Sequence, residues 1–262
     1  MEVKPKKHLG QHFLKDLDIA KKIADSLLLK TLKVIEIGPG MGVLTQFLKQ
    51  VDGRELFVSE IDQESVEYLL VNEIIDKEHL LGDFLQLDLN LYFTDEIAVI
   101  GNFPYNISSQ IVFKAIENRA LIPEFAGMFQ KEVAERIAAK PGNKQYGIIS
   151  VFTQAYFDVE YLFTVEAHVF SPPPKVQSGV IRLVRKPILE LGCDELLFRQ
   201  IVKNTFGTRR KMLRVSLKRL IGKNPILEDV FFQKRPEELS FEEFVILTNQ
   251  ISALPKDSII DE

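Results

Sequence analysis

KVIEIGPGMGVLTQFLKQVDGRELFVSEID, Lys33 to Asp62, decides the fold. An apolar run stops at Gly38-Pro39-Gly40-Met41-Gly42, VLTQFLKQV has a helical texture, and RELFVSEID reads as a second strand. Strand, glycine turn, helix, strand is a βαβ unit, and a parallel sheet follows from it. Downstream the alternation continues. QESVEYLLVNEII reads as helix, HLLGD as a short strand, EIAVIGNFPY as strand and loop, SSQIVFKAIENR as helix, EFAGMFQ as strand and KEVAERIAAK as helix. Past the loop PGNKQYG, the helical IISVFTQAYF leads to VEYLFTV and, after SPPPKV, to GVIRLVR. These last two strands have no crossover helix between them, so they form an antiparallel pair at one edge. The expectation is a seven-stranded, mostly parallel sheet.

Upstream, DLDIAKKIADSLLL spaces Ile19, Ile23 and Leu27 four apart behind Asp16, the signature of a capped amphipathic helix. After Pro187 the texture changes. CDELLFRQIVKNTF, RRKMLRVSLKRLI and FEEFVILTNQIS are all helix-like, with breaks at GKNP and KRPEE. The expected organisation is an α/β domain over residues 1–187 and a small all-helical domain over 188–262, ending in a loose tail, PKDSIIDE. There is no internal repeat and no low-complexity tract.

Composition narrows the function classes. The 262 residues are 46% hydrophobic and 27% charged, ordinary values for a globular protein. Cys193 is the single cysteine, which excludes a disulfide framework and a cysteine-based zinc cluster; no metal site is expected. The N-terminus is basic but lacks an apolar signal core, and no window reaches the ~18 apolar residues of a membrane span. A cytoplasmic monomer without a membrane partner is expected. The net charge of −4 argues against a phosphate-rich partner. Yet Lys203, Arg209, Arg210, Lys211, Arg214, Lys218, Arg219 and Lys223 fall in one stretch free of acids, either a solvated face or a binding patch.

In open α/β sheets, ligands bind beyond the carboxyl ends of the strands. There the first strand offers Gly38 and Gly40, a turn whose missing side chains let a ligand approach the backbone. The second ends at Glu60, 22 positions beyond Gly38 and near the ~20-residue spacing at which a carboxylate meets ribose hydroxyls. The third ends at Gly82-Asp83, a carboxylate able to accept from an adenine amine. Singly, Glu60 reads equally as an N-cap neighbour and Asp83 as a turn residue; together they favour an adenosine ligand. The loop spacing is G-x-G-x-G with a proline inside, not G-x-G-x-x-G. It points away from a pyrophosphate and toward S-adenosylmethionine, with a nicotinamide dinucleotide as the alternative.

The fourth strand ends at Asn102, followed by Phe103, Pro104 and Tyr105. Asn102 either organises the turn or serves the cleft. In the second reading, its side-chain oxygen and the Phe103 carbonyl accept the two N–H bonds of an exocyclic base amine and aim the nitrogen's lone pair. Pro104 stiffens the loop, and Tyr105 offers a stacking face worth ~1–3 kcal/mol per base. An activated sulfonium methyl needs positioning for in-line attack more than a strong base.

KKHLGQHFL, EIGPGMGVLT, SEID, GDFL, GNFPYNIS, QKEVAERI, SPPPKVQSGVIRL and FGTRRKMLRVSL together resemble the ribosomal RNA adenine N6,N6-dimethyltransferase family, from about residue 6 to about 250. The resemblance implies a Rossmann-like methyltransferase domain with a helical C-terminal domain and S-adenosylmethionine as donor. It also implies dimethylation of two adjacent adenosines near the 3′ end of 16S rRNA in the small ribosomal subunit. By motif it assigns His12 and Leu14 to the cofactor, with Gly38, Gly40, Glu60, Asp83, Phe84 and Asn102. It assigns Asn102, Phe103, Pro104 and Tyr105 to the target adenine, and packs Phe170 against the flipped base. His12 stands where the family commonly has Asn, and Phe103 where it commonly has an aliphatic residue that leaves the pocket wider.

With RNA as substrate, the basic stretch gains a purpose. On one continuous helix, Arg210, Arg214 and Lys218 share a face while Leu213, Leu217, Leu220 and Ile221 line another. Arg209, Lys211, Lys175 and the N-terminal Lys4, Lys6 and Lys7 are further candidates for phosphate. Rival functions are a large-subunit rRNA adenine methyltransferase conferring antibiotic resistance, a DNA adenine methyltransferase, and a ribosome-assembly checkpoint factor.

Overall fold

Val34, Ile35 and Ile37 are buried on both faces of their strand, which only a sheet covered on both sides requires. The computed structural model describes residues 3–6, 9–28, 31–187 and 189–255. It divides the chain into Met1–Glu135 with Phe157–Lys186, and Arg136–Tyr156 with Pro187–Glu262. The first unit holds β1 (Phe13–Leu14), β2 (Lys33–Ile37), β3 (Glu55–Ser59), β4 (Leu80–Leu81), β5 (Ile97–Asn102), β6 (Glu124–Gln130), β7 (Phe157–Val165), β8 (Phe170–Ser171) and β9 (Ser178–Arg185). Its helices are α1 (Leu17–Ala24), α2 (Thr45–Leu48), α3 (Gln63–Val71), α4 (Leu89–Tyr92) and α5 (Ser108–Glu117). Then α6 (Lys131–Ala138) leads into α7 (Ile148–Tyr156), α8 (Glu195–Gly207), α9 (Leu213–Ser216), α10 (Lys218–Ile221) and α11 (Phe241–Ser252).

The seven-stranded sheet has the order β4-β3-β2-β5-β6-β9-β7. Strands β2 to β6 pair in parallel, and β9 is antiparallel to both β6 and β7, the expected antiparallel edge pair. The chain order reverses between β2 and β5, so the ligand crevice belongs beyond Ile37 and Asn102. A pair of two-residue strands, β1 antiparallel to β8, was not legible in the sequence; it brings Leu14 opposite Phe170. Asp16 caps α1 by accepting from the Ile19 N–H at 3.0 Å, as its sequence position predicts.

In the second unit α7, α8 and α11 pack together, with Phe152 against Phe198 and Phe206 against Phe244. Residues 136–156 therefore join the helical unit, and a single boundary at 187 is corrected to an interrupted one. A second correction concerns RRKMLRVSLKRLI. It is two four-residue helices, α9 and α10, with Arg209, Arg210 and Lys211 in the preceding turn. Like charges four apart repel along a helix. Tertiary bonds, Leu213 N–H to the Lys234 carbonyl at 2.8 Å and Thr208 to Ser216 at 2.7 Å, bend the chain there. The apolar set survives: Leu213, Leu217, Leu220 and Ile221 are all buried. Lys7 and the tail beyond Pro255 lie outside the described residues.

Candidate functional site

Three glycines turn the chain out of β2. Gly38, Gly40 and Gly42 have φ of +67°, +56° and +80°, a region that L side chains rarely adopt. At Gly40 an added Cβ would lie 2.9 Å from the Phe13 ring, so space and conformation both demand glycine. Glu60 follows β3 and is 9% exposed. Its Oε1 accepts the Ile61 and Asp62 N–H groups, both at 2.9 Å, and its Oε2 accepts the Gly40 N–H at 3.3 Å. Burial pushes its pKa above the usual carboxylate value although these bonds oppose the shift.

Pleating sends Asn102 and Phe103 to opposite faces of the sheet. Asn102 follows Ala98 and Ile100 onto the face covered by the N-terminal segment, where its Nδ2 donates to the His12 carbonyl at 3.0 Å. The Asn102 Oδ1 stays available as an acceptor, and the adjoining Phe103 carbonyl accepts no hydrogen bond among the described residues. The Phe103 ring is 1% exposed and stacks on Phe125 at 5.0 Å, in space left by Gly101 and Gly127. It fills the core and does not narrow the pocket, which corrects the expectation from its size. The Tyr105 hydroxyl is 2.7 Å from Ser178 Oγ, and its ring stacks with His12 at 5.5 Å and 30°. His12 Nδ1 lies 2.8 Å from the Pro172 carbonyl oxygen. A carbonyl only accepts, so Nδ1 carries the proton.

One cavity is lined by His12, Gly38, Gly40, Glu60 and Asn102 through Tyr105, which the sequence had scattered over ninety positions. An adjoining one shares Gly38 and Asn102 and adds Leu14 and Glu36. Asp83 and Phe84 are not on these walls. Asp83 accepts the Leu85 N–H at 2.9 Å, and Phe84 is buried with Lys114 Nζ 5.6 Å above its ring. They stay beside the site through Ser59, whose hydroxyl donates to the Gly82 carbonyl at 2.6 Å. Phe170 is 1% exposed within the apolar cluster beneath the sheet, because β8 pairs with β1 and turns its ring inward. It therefore offers no face to a flipped base in this structure. Lys175 is exposed.

Glu36 was missed, although an acid inside the buried run VIEI was the signal. It is 1% exposed, its Oε2 has no hydrogen-bond partner among the described residues, and burial, opposed by the neighbouring Thr45 hydroxyl and reinforced by the Glu60 charge, pushes its pKa up to about 8. An orphaned carboxylate oxygen at a cavity wall fits a cationic ligand group. Glu60 fits vicinal hydroxyls, and the glycine loop leaves room for a chain without phosphate. The acceptor set thus matches S-adenosylmethionine, whose amino-acid end carries an ammonium and whose ribose carries two vicinal hydroxyls.

On fold and site the chain is a Rossmann-like methyltransferase that uses S-adenosylmethionine. A family model described as ribosomal RNA adenine dimethylase matches residues 2–244. A curated protein of Bacteroides thetaiotaomicron, "Ribosomal RNA small subunit methyltransferase A", is 58% identical over 253 residues, 95% of this chain and 94% of that one. A dimethyladenosine transferase structure from Plasmodium falciparum shares the fold at TM-score 0.73 and 23% identity, covering 92% of this chain and 98% of that one. The 23S rRNA methyltransferase ErmE is similar at TM-score 0.66 and 26% identity, covering 89% of this chain and 99% of that one. The chain belongs to the ribosomal RNA adenine dimethylase family.

Proposed function

We propose that the chain transfers methyl groups from S-adenosylmethionine to N6 of two adjacent adenosines near the 3′ end of 16S rRNA, during late assembly of the small ribosomal subunit. The observation that carries this reading is the pair of acceptors at the end of β5. Asn102 Oδ1 and the Phe103 carbonyl are adjacent in the chain, and one N–H of the same amide is committed to the His12 carbonyl, which orients the oxygen. An adenine amine has two N–H bonds, and two acceptors hold both while its lone pair is aimed into the cofactor cavity. When bound, S-adenosylmethionine supplies an already activated methyl group. The residues of the chain contribute position: Glu60 and the glycine loop for the nucleoside, Glu36 for the cationic end, Tyr105 for stacking. The dimethylated amine has no N–H left, so both acceptors lose their partner and the product is released.

The small subunit is favoured over the large by the relatives: the small-subunit enzyme is 58% identical and the 23S enzyme 26%. Asp83 and Phe84, beyond the walls of the two cavities, are left to the cofactor's adenine, and Leu14, on the wall of the cavity that holds Glu36, to its methionine end. Arg210, Lys211, Arg214 and Lys218 are exposed on the second unit and free to meet phosphates. Arg209 is partly spent, lying 3.9 Å from Glu237 and donating to the Asn143 carbonyl at 3.3 Å. No helix among the described residues is long and apolar enough to cross a membrane; the enzyme works as a cytoplasmic monomer.

The test is purified protein with labelled cofactor and, in parallel, unmethylated small and large subunits, followed by nucleoside analysis of each RNA. Dimethyladenosine is expected; label confined to large-subunit RNA, or binding without any transfer, overturns the reading.

A further inference from the structure

We propose that Asp62 is a latch that holds the N-terminal segment, Leu9 to Phe13, closed over the cofactor cavity, with Lys6 and Gln11 as its grips. The proposal rests on the methyltransferase reading above and adds positioning residues to that site. Asp62 stands at the N-cap of α3, where an aspartate ordinarily accepts from the first-turn N–H groups. Here it makes no side-chain cap, whereas Asp16 and Asp194 at the starts of α1 and α8 both do. The Asp62 carboxylate, in a residue 2% exposed, is instead ion-paired with Lys6. It also accepts from Gln11 Nε2 at 3.1 Å and Ser65 Oγ at 3.0 Å. The grips brace one another, since the Lys6 N–H donates to Gln11 Oε1 at 2.8 Å, and Lys6 Nζ also lies 3.3 Å from Glu64.

From that anchor the segment crosses to the other wall. Gly10, at φ +67°, lies so close to Asn106 that an added Cβ would be 2.9 Å from its Oδ1. His12 then receives the Asn102 amide at 3.0 Å. Leu9 through Phe13 line the cavity on the way, so the segment joins the end of β3 to the end of β5 over the site. The anchor also touches the nucleoside acid directly, because the Asp62 N–H donates to Glu60 Oε1 at 2.9 Å. One loop thus carries both the ribose-binding carboxylate and the latch. Ligand binding and closure must favour each other reciprocally.

The test uses the full chain with Asp62→Asn, Lys6→Met, Lys6→Arg and the Asp62→Asn/Lys6→Met double variant. Ligand-free hydrogen exchange should quicken in residues 9–14 for Asp62→Asn and Lys6→Met, while the core strands keep their protection. Calorimetry with S-adenosylhomocysteine should show affinity falling about tenfold, within the ~5- to 150-fold span of site coupling. Lys6→Arg should restore it, the double variant should be no worse than either single one, and KM for the cofactor should rise by more than kcat falls. Unchanged exchange and affinity in Lys6→Met, additive losses in the double variant, or exchange rising evenly across the sheet would overturn the latch. Failure of the unaltered protein to bind S-adenosylhomocysteine would overturn the methyltransferase reading instead. The ligand-free exchange data would still judge the latch.

Discussion

The cavity beyond β2, β3 and β5 and the basic stretch from Lys203 to Lys223 are built on opposite plans. In the cavity the side chains that carry the open acceptors are held in place: Glu60 holds three backbone N–H groups, Asn102 holds His12, and Tyr105 holds Ser178. In the basic stretch the cations other than Arg209 stand exposed on a buried apolar base of Leu213, Leu217, Leu220 and Ile221. The difference follows from what each must recognise. An amine aimed at a methyl group tolerates little displacement, whereas a phosphate backbone asks mainly for charge density. Substitutions should therefore act steeply in the first region and gradually in the second.

The steepest break is Asn102→Ala. It removes one of two acceptors and the tie to His12, and transfer should fall by ~10²- to 10³-fold, the scale seen when one preorganised hydrogen-bonding group is deleted from an active site. Single-turnover methyl incorporation measures the fall. Calorimetry should show a much smaller loss of cofactor affinity; complete loss would move Asn102 from the target's side of the cavity to the cofactor's.

Glu36 comes next, through pH. Its carboxyl has a pKa of about 8 when folded against an ordinary 4.5, so the folded chain holds a proton there that the unfolded chain has released. Between those values the ligand-free protein should lose stability as pH rises, on the order of 1 kcal/mol per pH unit. Denaturant titrations from pH 5 to 8 should show the decline, and Glu36→Gln should flatten it. If Glu36 faces the cofactor's cation, binding must ionise it, and affinity in the unaltered protein should climb over the same window. Glu36→Gln should weaken binding above pH 8 and remove most of that climb. A slope unchanged by the substitution would break the contrast, leaving Glu36 as mere core.

A smaller effect tests the underside of the same loop. Gly127→Ala should place a methyl 2.4 Å from both the Gly101 carbonyl and the Phe103 ring, at a φ of +154°. Overpacking of this kind costs ~1–3 kcal/mol, readable as a lowered Tm. Phe103→Leu, by contrast, should cost on the order of 1 kcal/mol of stability and change transfer by less than tenfold, since the ring is packed in the core against Phe125 and Phe129. A larger fall would return the ring to the pocket.

Phe103 also shows where reading the sequence fell short. The alternation along VIGNF was enough to send Asn102 and Phe103 to opposite faces, but its size beside Pro104 and Tyr105 drew attention to the pocket. The seven strands and the glycine turn were legible because each has its own local signal, a short apolar run or a forced φ. Leu14 and Phe170 meet through two-residue strands that carry no periodicity, so the inward turn of Phe170 was out of reach. Glu36 carried a signal that went unread. The break at Arg209–Met212 depends on the Leu213 bond to Lys234, more than twenty positions away, and no window over RRKMLRVSLKRLI contains it.

That break sets the mildest prediction. Had Arg210, Arg214 and Lys218 shared one helix face, they would act as a rigid comb matched to phosphate spacing, and losing one tooth would disturb the others. Placed in a turn and on two separate short helices, they should act nearly independently. Arg210→Ala and Arg214→Ala should each weaken RNA binding only a few-fold at moderate salt and lower the slope of log affinity against log salt by about 1. The double variant should show the sum of the two within ~0.5 kcal/mol. Arg209→Ala should change the slope less, because its guanidinium already serves Glu237 and the Asn143 carbonyl. Filter binding across a salt series separates the cases: strong coupling between Arg210 and Arg214 would restore the rigid comb, and unchanged slopes would make the stretch a solvated face.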